Sequence, residues 1–487
     1  MSLKDNKIFR WIIIPICVTL CFIGKFIPSF GGLTQEAIQV LFIFLGCLIL
    51  WLTIGIDWPS LLCIFALGFV DSLGFNSVLS ASFGNSTFIF LLFTFICTYA
   101  LSKTSIIKRI TLFFINSKLA KKNGLWFSFL FLFAVLLVGL FVSPSVLFVV
   151  ILPILNEVFE VANITKGEKI GKALMIGLGF TVSISSGMTP IAHVFPVLAM
   201  EAGGIEVNPL SYMLFAIPVG LIVFIIMFLM LFVIYRPNTS KLTNVDTTSL
   251  RNDIPKINVQ DIVTLVTFGV VIILWLVPDL IKAIDLPTYN VMKDANVFKW
   301  FTTAMPPILG TIVLCVVRIK GKPILRIDEA LKNVPWASLI MCAATLALSS
   351  ALTNDAIGIK AFLNTTLSSS LQQFDGIVLL IIFAIWALIQ TNVSSNMVTA
   401  TLVATVAATV LGSISSSLSY NAVICIIGLL ASFAFATPPS MPHIAIVAGS
   451  EHANVKDVLI FGGILMMATL IVILCVGYPL GSIVLVL

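Results

Sequence analysis

The sequence TNVSSN at residues 391–396 interrupts an apolar segment that extends from residue 376 to residue 412. A second apolar segment, 125–159, is interrupted in the same way by SPS at residues 143–145. Proline and clustered hydroxyl and amide side chains break a helix at bilayer depth, where no water replaces the lost backbone hydrogen bonds. We therefore interpret each segment as a hairpin of two helices rather than as a single membrane crossing.

The composition around these segments is that of a polytopic membrane protein. Of the 487 residues, 59% are hydrophobic and 10% are charged, and the mean hydropathy is +1.15. So few charges cannot cover a water-facing surface, which excludes a soluble enzyme. Lys and Arg form no basic patch with interleaved aromatic side chains, so no nucleic-acid partner is expected. The nine Cys lack CxxC and metal-binding spacing, and we expect neither a cofactor nor a metal centre.

The remaining apolar runs predict about eleven transmembrane helices, each close to the length that crosses a bilayer. These spans are 11–30, 36–56, 60–78, 84–102, 171–200, 211–235, 260–281, 304–318, 335–353, 421–450 and 458–485. With the N-terminus in the cytoplasm, the cytoplasmic loops hold 22 of the 27 Lys and Arg, as the positive-inside rule requires. This count holds only if both hairpins are re-entrant, and it places the C-terminus outside a plasma membrane.

The chain divides into two halves that repeat the same order of features. Each half has an amphipathic stretch, a hairpin and then a broken helix, and the charge of the two stretches places them on opposite faces. Such paired breaks in an inverted repeat are typical of the binding site of a secondary transporter. The predicted organisation is N-terminal scaffold helices 1–102, a first repeat 103–235 with hairpin 125–159 and broken helix 171–200, a cytoplasmic linker 236–258, second-half scaffold helices 259–354, and a second repeat 355–487 with hairpin 376–412 and broken helix 421–450.

The breaks offer polar but uncharged chemistry. No Asp, Glu, Lys or Arg lies between Asp375 and Glu451, and residues 125–156 are uncharged as well. A ligand there must be held by hydroxyls, amides, backbone groups and helix ends. Helix N-termini carry partial positive charge and free N–H groups, so two converging hairpin tips suit a small dianion. The alternative is that these residues merely bend ordinary helices, but four breaks at matching spacings favour a site.

The run Thr391-Asn392-Val393-Ser394-Ser395-Asn396-Met397, followed by Ala436-Thr437-Pro438-Pro439-Ser440, resembles the hairpin and break motifs of the divalent anion:sodium symporter (DASS, INDY-like) family. The resemblance covers nearly the whole chain. It implies an all-α homodimer in the lipid bilayer that carries small-molecule di- or tricarboxylates by an elevator motion. The substrate-binding residues that it implies are Ser143, Pro144, Ser145, Thr189, Pro190, Ser395, Asn396, Met397, Thr437, Pro438 and Pro439.

Several positions depart from the family motifs. Pro144 stands where the family has Asn, Met397 stands where it has Thr, and His193 follows the first break where a hydroxyl is expected beside sodium. Sodium prefers hard oxygen ligands, which these three side chains do not offer. His193 and His443 follow the two breaks at similar distances, so cationic imidazoles could supply the charge of the missing ion. Alternatively, both are neutral, hydrogen-bonded helix residues.

These features predict a dicarboxylate exchanger for succinate, malate or 2-oxoglutarate, in the exchanger branch of that family. A sodium-coupled dicarboxylate symporter, with ion sites made of backbone carbonyls, is the alternative. An intramembrane hydrolase based on Ser186 and His193 is disfavoured, because the chain has no GxSG or HExxH motif and no paired intramembrane aspartates. A channel is disfavoured because paired breaks fit alternating access better than a continuous pore.

Overall fold

A computed structural model of the chain describes residues 7–191, 193–243, 245, 256–283, 302–359, 362, 375–412 and 418–485. Within these ranges the regular structure is helical, apart from the antiparallel strands β1 (Arg318–Ile319) and β2 (Lys322–Pro323). In the described part of the chain, seven helices are long and apolar enough to cross a membrane, or eight if a bent pair counts as one span, and further apolar helices have 10–17 residues. The prediction of an all-α polytopic membrane protein is confirmed.

Five helices make up the N-terminal region that the sequence predicts to be scaffold. They are α1 (Lys7–Ile23), α2 (Gln35–Thr53), α3 (Trp58–Leu67), α4 (Gly74–Ala81) and α5 (Ser86–Ser102). The predicted single span 60–78 is wrong, because residues 68–73 form a turn between α3 and α4. Lys25 fixes this turn, since its ammonium group lies 2.9 Å from the Asp71 carboxylate and donates to the Phe69 carbonyl at 3.1 Å. Gly74 then starts α4 with a φ of +67°, a conformation that favours glycine.

The first repeat contains the first hairpin and the first broken helix. Its helices are α6 (Ile106–Ile115), α7 (Gly124–Gly139), α8 (Pro144–Val161), α9 (Lys169–Gly187), α10 (Phe195–Ala202) and α11 (Pro209–Phe228). α7 and α8 contact each other, and residues 140–143 join them. The sequence supplies the helix starts, because the Asn123 side chain accepts from the Trp126 N–H at 2.9 Å and Pro144 occupies the first turn of α8.

The predicted linker 236–258 lies partly outside the described residues. Its beginning folds back onto the first repeat, where Lys241 donates to the Glu168 carboxylate at 2.7 Å and to the Asn163 carbonyl at 2.8 Å. The amphipathic stretch predicted before the second hairpin, residues 355–374, also lies mostly outside the described residues.

The second half repeats the same order of elements. Its helices are α12 (Val259–Ala283), α13 (Met305–Val316), α14 (Ile327–Lys332), α15 (Trp336–Thr353), α16 (Gly376–Val393), α17 (Asn396–Gly412), α18 (Tyr420–Ser432), α19 (Pro442–Ala448), α20 (Val455–Val472) and α21 (Tyr478–Val484). α16 and α17 form the second hairpin, and they are joined by Ser394 and Ser395. α18 and α19 form the second broken helix, with a short 3-10 turn, Pro438–Ser440, between them.

The two halves pack across each other at their breaks. The second arm of the first hairpin, α8, contacts α19, and the second arm of the second hairpin, α17, contacts α10. The ends of α9 and α18 meet, because a Cβ atom on Gly187 would lie only 2.8 Å from the Cβ of Ser432. Only glycine permits this approach. Each hairpin therefore packs against the broken helix of the other half, and all four interruptions are drawn to one region.

Candidate functional site

A cavity of about 700 Å³ lies where the two hairpin tips meet the scaffold helices. Residues 143–146 of the first tip and residues 393–397 of the second tip line it. Residues 193–195 and 440–442, which belong to the two broken helices, line it as well. A cavity of this size is typical of a small-molecule site. The cavity therefore brings together all four interruptions that the sequence predicted.

Seven residues that the sequence analysis singled out lie on the wall of this cavity. They are Ser143, Pro144, Ser145, His193, Ser395, Asn396 and Met397. None of the described residues that line the cavity is Asp, Glu, Lys or Arg. The wall is thus polar and uncharged, and any charge on a ligand must be compensated by hydroxyls, amides and helix ends.

Four helices begin at this wall. α8 begins at Pro144, α10 at Phe195, α17 at Asn396 and α19 at Pro442, and each of these residues lines the cavity. Among the described residues, no side chain caps the first turn of α8, α10 or α19. Each of these turns also contains a proline without an N–H, Pro144, Pro196 or Pro442, so the donors are the remaining N–H groups that have no backbone acceptor. Because helix N-termini carry partial positive charge, their convergence gives the cavity a positive potential without a basic side chain.

The threonines of the two break motifs lie behind the wall and hold the hairpin tips. Thr189 donates to the carbonyl of Leu140, just after α7, at 2.5 Å. Thr437 donates to the carbonyl of Asn392, near the end of α16. These contacts are equivalent in the two halves, since each joins a break to the first arm of its own hairpin. Pro190 is buried, and Pro438 and Pro439 begin the 3-10 turn. Direct substrate contact by these motif residues stays a prediction.

The second hairpin is tied to its break by a network centred on Asn392. The amide nitrogen of Asn392 donates to the carbonyls of Leu388 at 2.9 Å and Phe433 at 3.3 Å, and its amide oxygen accepts from the Ala436 N–H at 2.7 Å. Thr391 donates to the Ala431 carbonyl at 2.7 Å. The backbone groups that the break frees from the helix are thus satisfied by side chains, as burial requires.

Asn396 connects the tip to the same break. With its amide nitrogen turned toward the protein, Asn396 donates to the carbonyls of Thr391 and Ser440, both at 3.1 Å. Asn396 is 5% exposed and lines the cavity. This one side chain therefore joins the first arm of the second hairpin to the second break, while it lies beside the space for a ligand.

The first hairpin is held mainly by close packing. A Cβ atom on Gly139 would collide with the side chain of Ser185, so α7 and α9 are in direct contact there. Tyr212 donates to the Gly187 carbonyl at 2.7 Å, which satisfies the end of α9. At the tip itself, Pro144 has no N–H to donate and no side-chain polar atom.

The two histidines have different environments. His193 lines the cavity, and its Nδ1 accepts from the Val194 N–H at 3.0 Å, so this nitrogen carries no proton and the imidazole is neutral. His443 is buried, with Nε2 2.9 Å from the Ser183 hydroxyl and with Nδ1 lacking a hydrogen-bond partner among the described residues. The geometry of His193 favours the interpretation of a neutral residue over that of a cation replacing sodium.

The scaffold wall of the cavity was missed by the sequence analysis. Its lining from α5 consists of Thr98, Tyr99 and Ser102. Asn333, which lies between α14 and α15, and Ser338 of α15 line it as well. A signal was present in α5, because Thr94, Thr98 and Ser102 follow one another at intervals of four residues and form a polar stripe on the helix. For Asn333 and Ser338 the sequence offers no comparable pattern.

The transmembrane region of sodium:sulfate symporters matches residues 7–487. The chain belongs to this family, the divalent anion:sodium symporters. The divalent anion:sodium symporter assignment makes the chain a multi-pass membrane transporter, as the motifs at 391–397 and 436–440 indicated. No curated protein matches the chain.

The family description implies sodium as a transported ion, and the residues at the breaks bear on how it could bind. Sodium would use oxygen ligands such as carbonyls. At the second break, the Ala434 carbonyl accepts hydrogen bonds from the Ser440 hydroxyl at 3.2 Å and from the Ser183 hydroxyl at 3.3 Å. The chain's own donors thus already bind this oxygen. Within the described ranges, no three or more His, Cys, Asp and Glu side chains are grouped to hold a metal ion.

Proposed function

We propose that this transporter is a sodium-independent exchanger of C4 and C5 dicarboxylates such as succinate, malate and 2-oxoglutarate. The observation that carries this proposal is the single uncharged cavity at which α8, α10, α17 and α19 all begin. The two hairpin tips approach it from different halves of the chain, so each can receive one carboxylate. Helix N-termini bind carboxylates through free N–H groups and the helix dipole.

Independence from sodium is supported by the donors at the breaks. The carbonyls of Asn392, Ser440 and Ala434 accept hydrogen bonds from side chains of the chain itself. The corresponding carbonyl at the first tip, Leu140, accepts from Thr189. Protein donors thus compensate the partial negative charge that a sodium ion would otherwise compensate. Pro144 and Met397 further reduce the oxygen ligands at the two tips.

Exchange follows from the electrostatics of the empty cavity. Converging helix N-termini without an anion leave positive potential and free N–H groups facing a low-dielectric path, which is costly. A bound dianion removes this cost, so the site crosses the membrane readily only when it is loaded. We infer an elevator motion in which the hairpins and broken helices move against α2, α5 and α15, in a homodimer with a cytoplasmic N-terminus and an extracellular C-terminus.

The test is uptake of labelled succinate into proteoliposomes under four conditions. Internal unlabelled succinate is present or absent, and an inward sodium gradient is present or absent. We expect uptake that requires internal succinate and is the same with and without sodium. Protein-free vesicles give the background uptake.

The alternative is a sodium-coupled dicarboxylate symporter, and the family description favours its sodium coupling. Each carbonyl oxygen has two lone pairs, so the carbonyls of Thr391 and Ser440 could accept both Asn396 and a sodium ion. Uptake driven by sodium into empty vesicles would establish this alternative. Uptake of labelled sulfate that succinate does not compete with would instead assign the cavity to the inorganic anion.

A further inference from the structure

We propose that the ion pair of Lys103 and Glu329, at the edge of the cavity, determines how strongly the transporter prefers divalent over monovalent anions. Neither residue belongs to the hairpins or to the breaks. The proposal rests on the proposed function only in that the cavity takes an anion, and it assigns the selection by charge to the scaffold rather than to the binding site.

The pair is directly connected to the cavity wall. The Lys103 ammonium group lies 2.5 Å from Oε1 of Glu329, and the Tyr99 hydroxyl donates to the same oxygen at 3.0 Å. The side-chain amide of Asn333 donates to the backbone carbonyl of Glu329 at 2.9 Å. Tyr99 and Asn333 both line the cavity, as does Ser102, the neighbour of Lys103 in sequence. The pair thus joins the end of α5 to α14 just outside the wall.

Both charged side chains are in contact with water. The Lys103 side chain is 38% exposed and the Glu329 side chain is 41% exposed. The hydrogen bond from Lys103, and after it the one from Tyr99, lowers the pKa of Glu329 below its ordinary value. Glu329 is therefore ionised at neutral pH, and an anion that approaches along this edge meets one positive and one negative charge.

The balance of these two charges acts on the approaching anion. An exposed pair contributes little to folding stability, but charges at the edge of an otherwise uncharged cavity change the local concentration of charged ligands. If Lys103 loses its charge, Glu329 faces the anion uncompensated, and the repulsion is twice as large for a dianion as for a monoanion. If Glu329 loses its charge instead, the free Lys103 attracts dianions more strongly.

The experiment measures the KM of succinate exchange in proteoliposomes at low and at physiological ionic strength. For Lys103→Gln we expect KM to rise roughly fivefold at about 0.01 M salt and less than twofold at about 0.15 M, because salt screens exposed charges. Glu329→Gln should lower KM at low salt, and the double variant should resemble the wild type. Inhibition by the monoanion succinamate should weaken only about twofold in Lys103→Gln at low salt.

Two control variants separate this effect from others. Lys103→Arg keeps the charge and should behave as the wild type, which identifies charge rather than shape as the cause. Lys241→Gln removes the same charge from the ion pair with Glu168, which is not connected to the cavity wall, and should leave KM unchanged. Equal effects of Lys103→Gln on succinate and succinamate, or an equal effect of Lys241→Gln, would overturn the proposal.

Failure of the proposed function gives a different result. If the wild type exchanges no dicarboxylate, that function is wrong, and the same variants are then measured with labelled sulfate, the divalent anion in the family description. A salt-dependent rise of the sulfate KM in Lys103→Gln would still support the charge selection. An unchanged sulfate KM would overturn it.

Discussion

The two hairpin tips occupy equivalent places at the cavity, but they are held in different ways. At the second tip, Asn392 and Asn396 form hydrogen bonds to the break through the Phe433 and Ser440 carbonyls and the Ala436 N–H, and to α16 through the Leu388 and Thr391 carbonyls. At the first tip, Pro144 stands at the position of Asn396, and the tip is held by the single hydroxyl of Thr189 and by close packing at Gly139.

The two tips therefore have the same arrangement of helices but different side-chain contacts. Both tips bring the start of a long helix to the cavity, so both contribute positive potential. Only the second tip adds an amide side chain that contacts the break and lines the cavity. We infer that Asn396 positions the backbone donors of the second tip and so makes binding depend mainly on the second half, whereas the first tip is positioned mainly by packing. The predictions below test this division.

The largest effect is expected for Asn396→Ala. This change leaves the buried carbonyls of Thr391 and Ser440 without their donor and removes an amide from the wall. An unsatisfied buried group costs about 1–3 kcal/mol, so we expect kcat/KM for succinate exchange to fall roughly 30-fold. Exchange in proteoliposomes gives the rate, and the thermal transition in detergent shows whether the variant is folded.

Pro144→Ala is the matched control in the first half. Proline at the start of a helix is readily replaced by alanine, and the change restores an N–H at a position where it has no intrahelical partner. We expect kcat/KM to stay within about twofold of the wild type. A loss as large as that of Asn396→Ala would show that the two tips bind substrate equally, and the division between the halves would be wrong.

A smaller effect is expected when the hydroxyls behind the wall are removed. In Thr437→Val the Asn392 carbonyl loses a donor, and Asn392 itself anchors three further contacts. In Thr189→Val the Leu140 carbonyl loses its donor. We expect losses of about 2 and about 1 kcal/mol respectively, measured by the free energy of unfolding or by the thermal transition, while the corresponding Ser variants retain wild-type stability. The reverse order would mean that the first tip depends more on its hydroxyl.

The sequence predicted the breaks because their causes are local. Pro144, Pro190 and the cluster at residues 391–396 favour helix ends through their own backbone and side-chain chemistry. The turn at residues 68–73 was missed because its cause is a contact between Lys25 and Asp71, two residues that no short-range pattern relates. The scaffold wall was missed for the same reason, since Tyr99 and Asn333 meet the hairpin tips only through the packing of α5 and α15.

His193 and His443 follow the two breaks at related positions, but their surroundings differ. His193→Gln removes a neutral imidazole from the cavity wall, and we expect KM to rise about threefold with little change in stability. His443→Gln disturbs the buried contact with Ser183 and should lower stability while KM changes less than twofold.

The pH dependence of exchange tests the charge of His193 directly. A neutral His193 predicts that the wild type and His193→Gln show parallel changes of KM between about pH 6 and pH 8. If the wild type gains affinity at low pH and His193→Gln does not, the imidazole becomes cationic when substrate binds. The interpretation of a charge that replaces sodium would then be correct for the first half.

The smallest effect is expected in the loop between α8 and α9, where Glu168 pairs with Lys241 at 2.7 Å. The hydrogen bonds from Lys241 and then from Thr165 lower the pKa of Glu168 from its ordinary value of 4.5 to about 2. Because the folded-state pKa is the lower one, the stabilisation is complete above about pH 4.5 and is lost as the pH falls toward 2. Solvent screens this exposed pair, so Glu168→Gln should cost under about 1 kcal/mol at neutral pH. The difference in thermal transition between the wild type and this variant should therefore shrink as the pH is lowered from 6 to about 3. A difference that is independent of pH would show that Glu168 acts by packing. The first half would then be held by packing in the loop between α8 and α9 as well as at its tip.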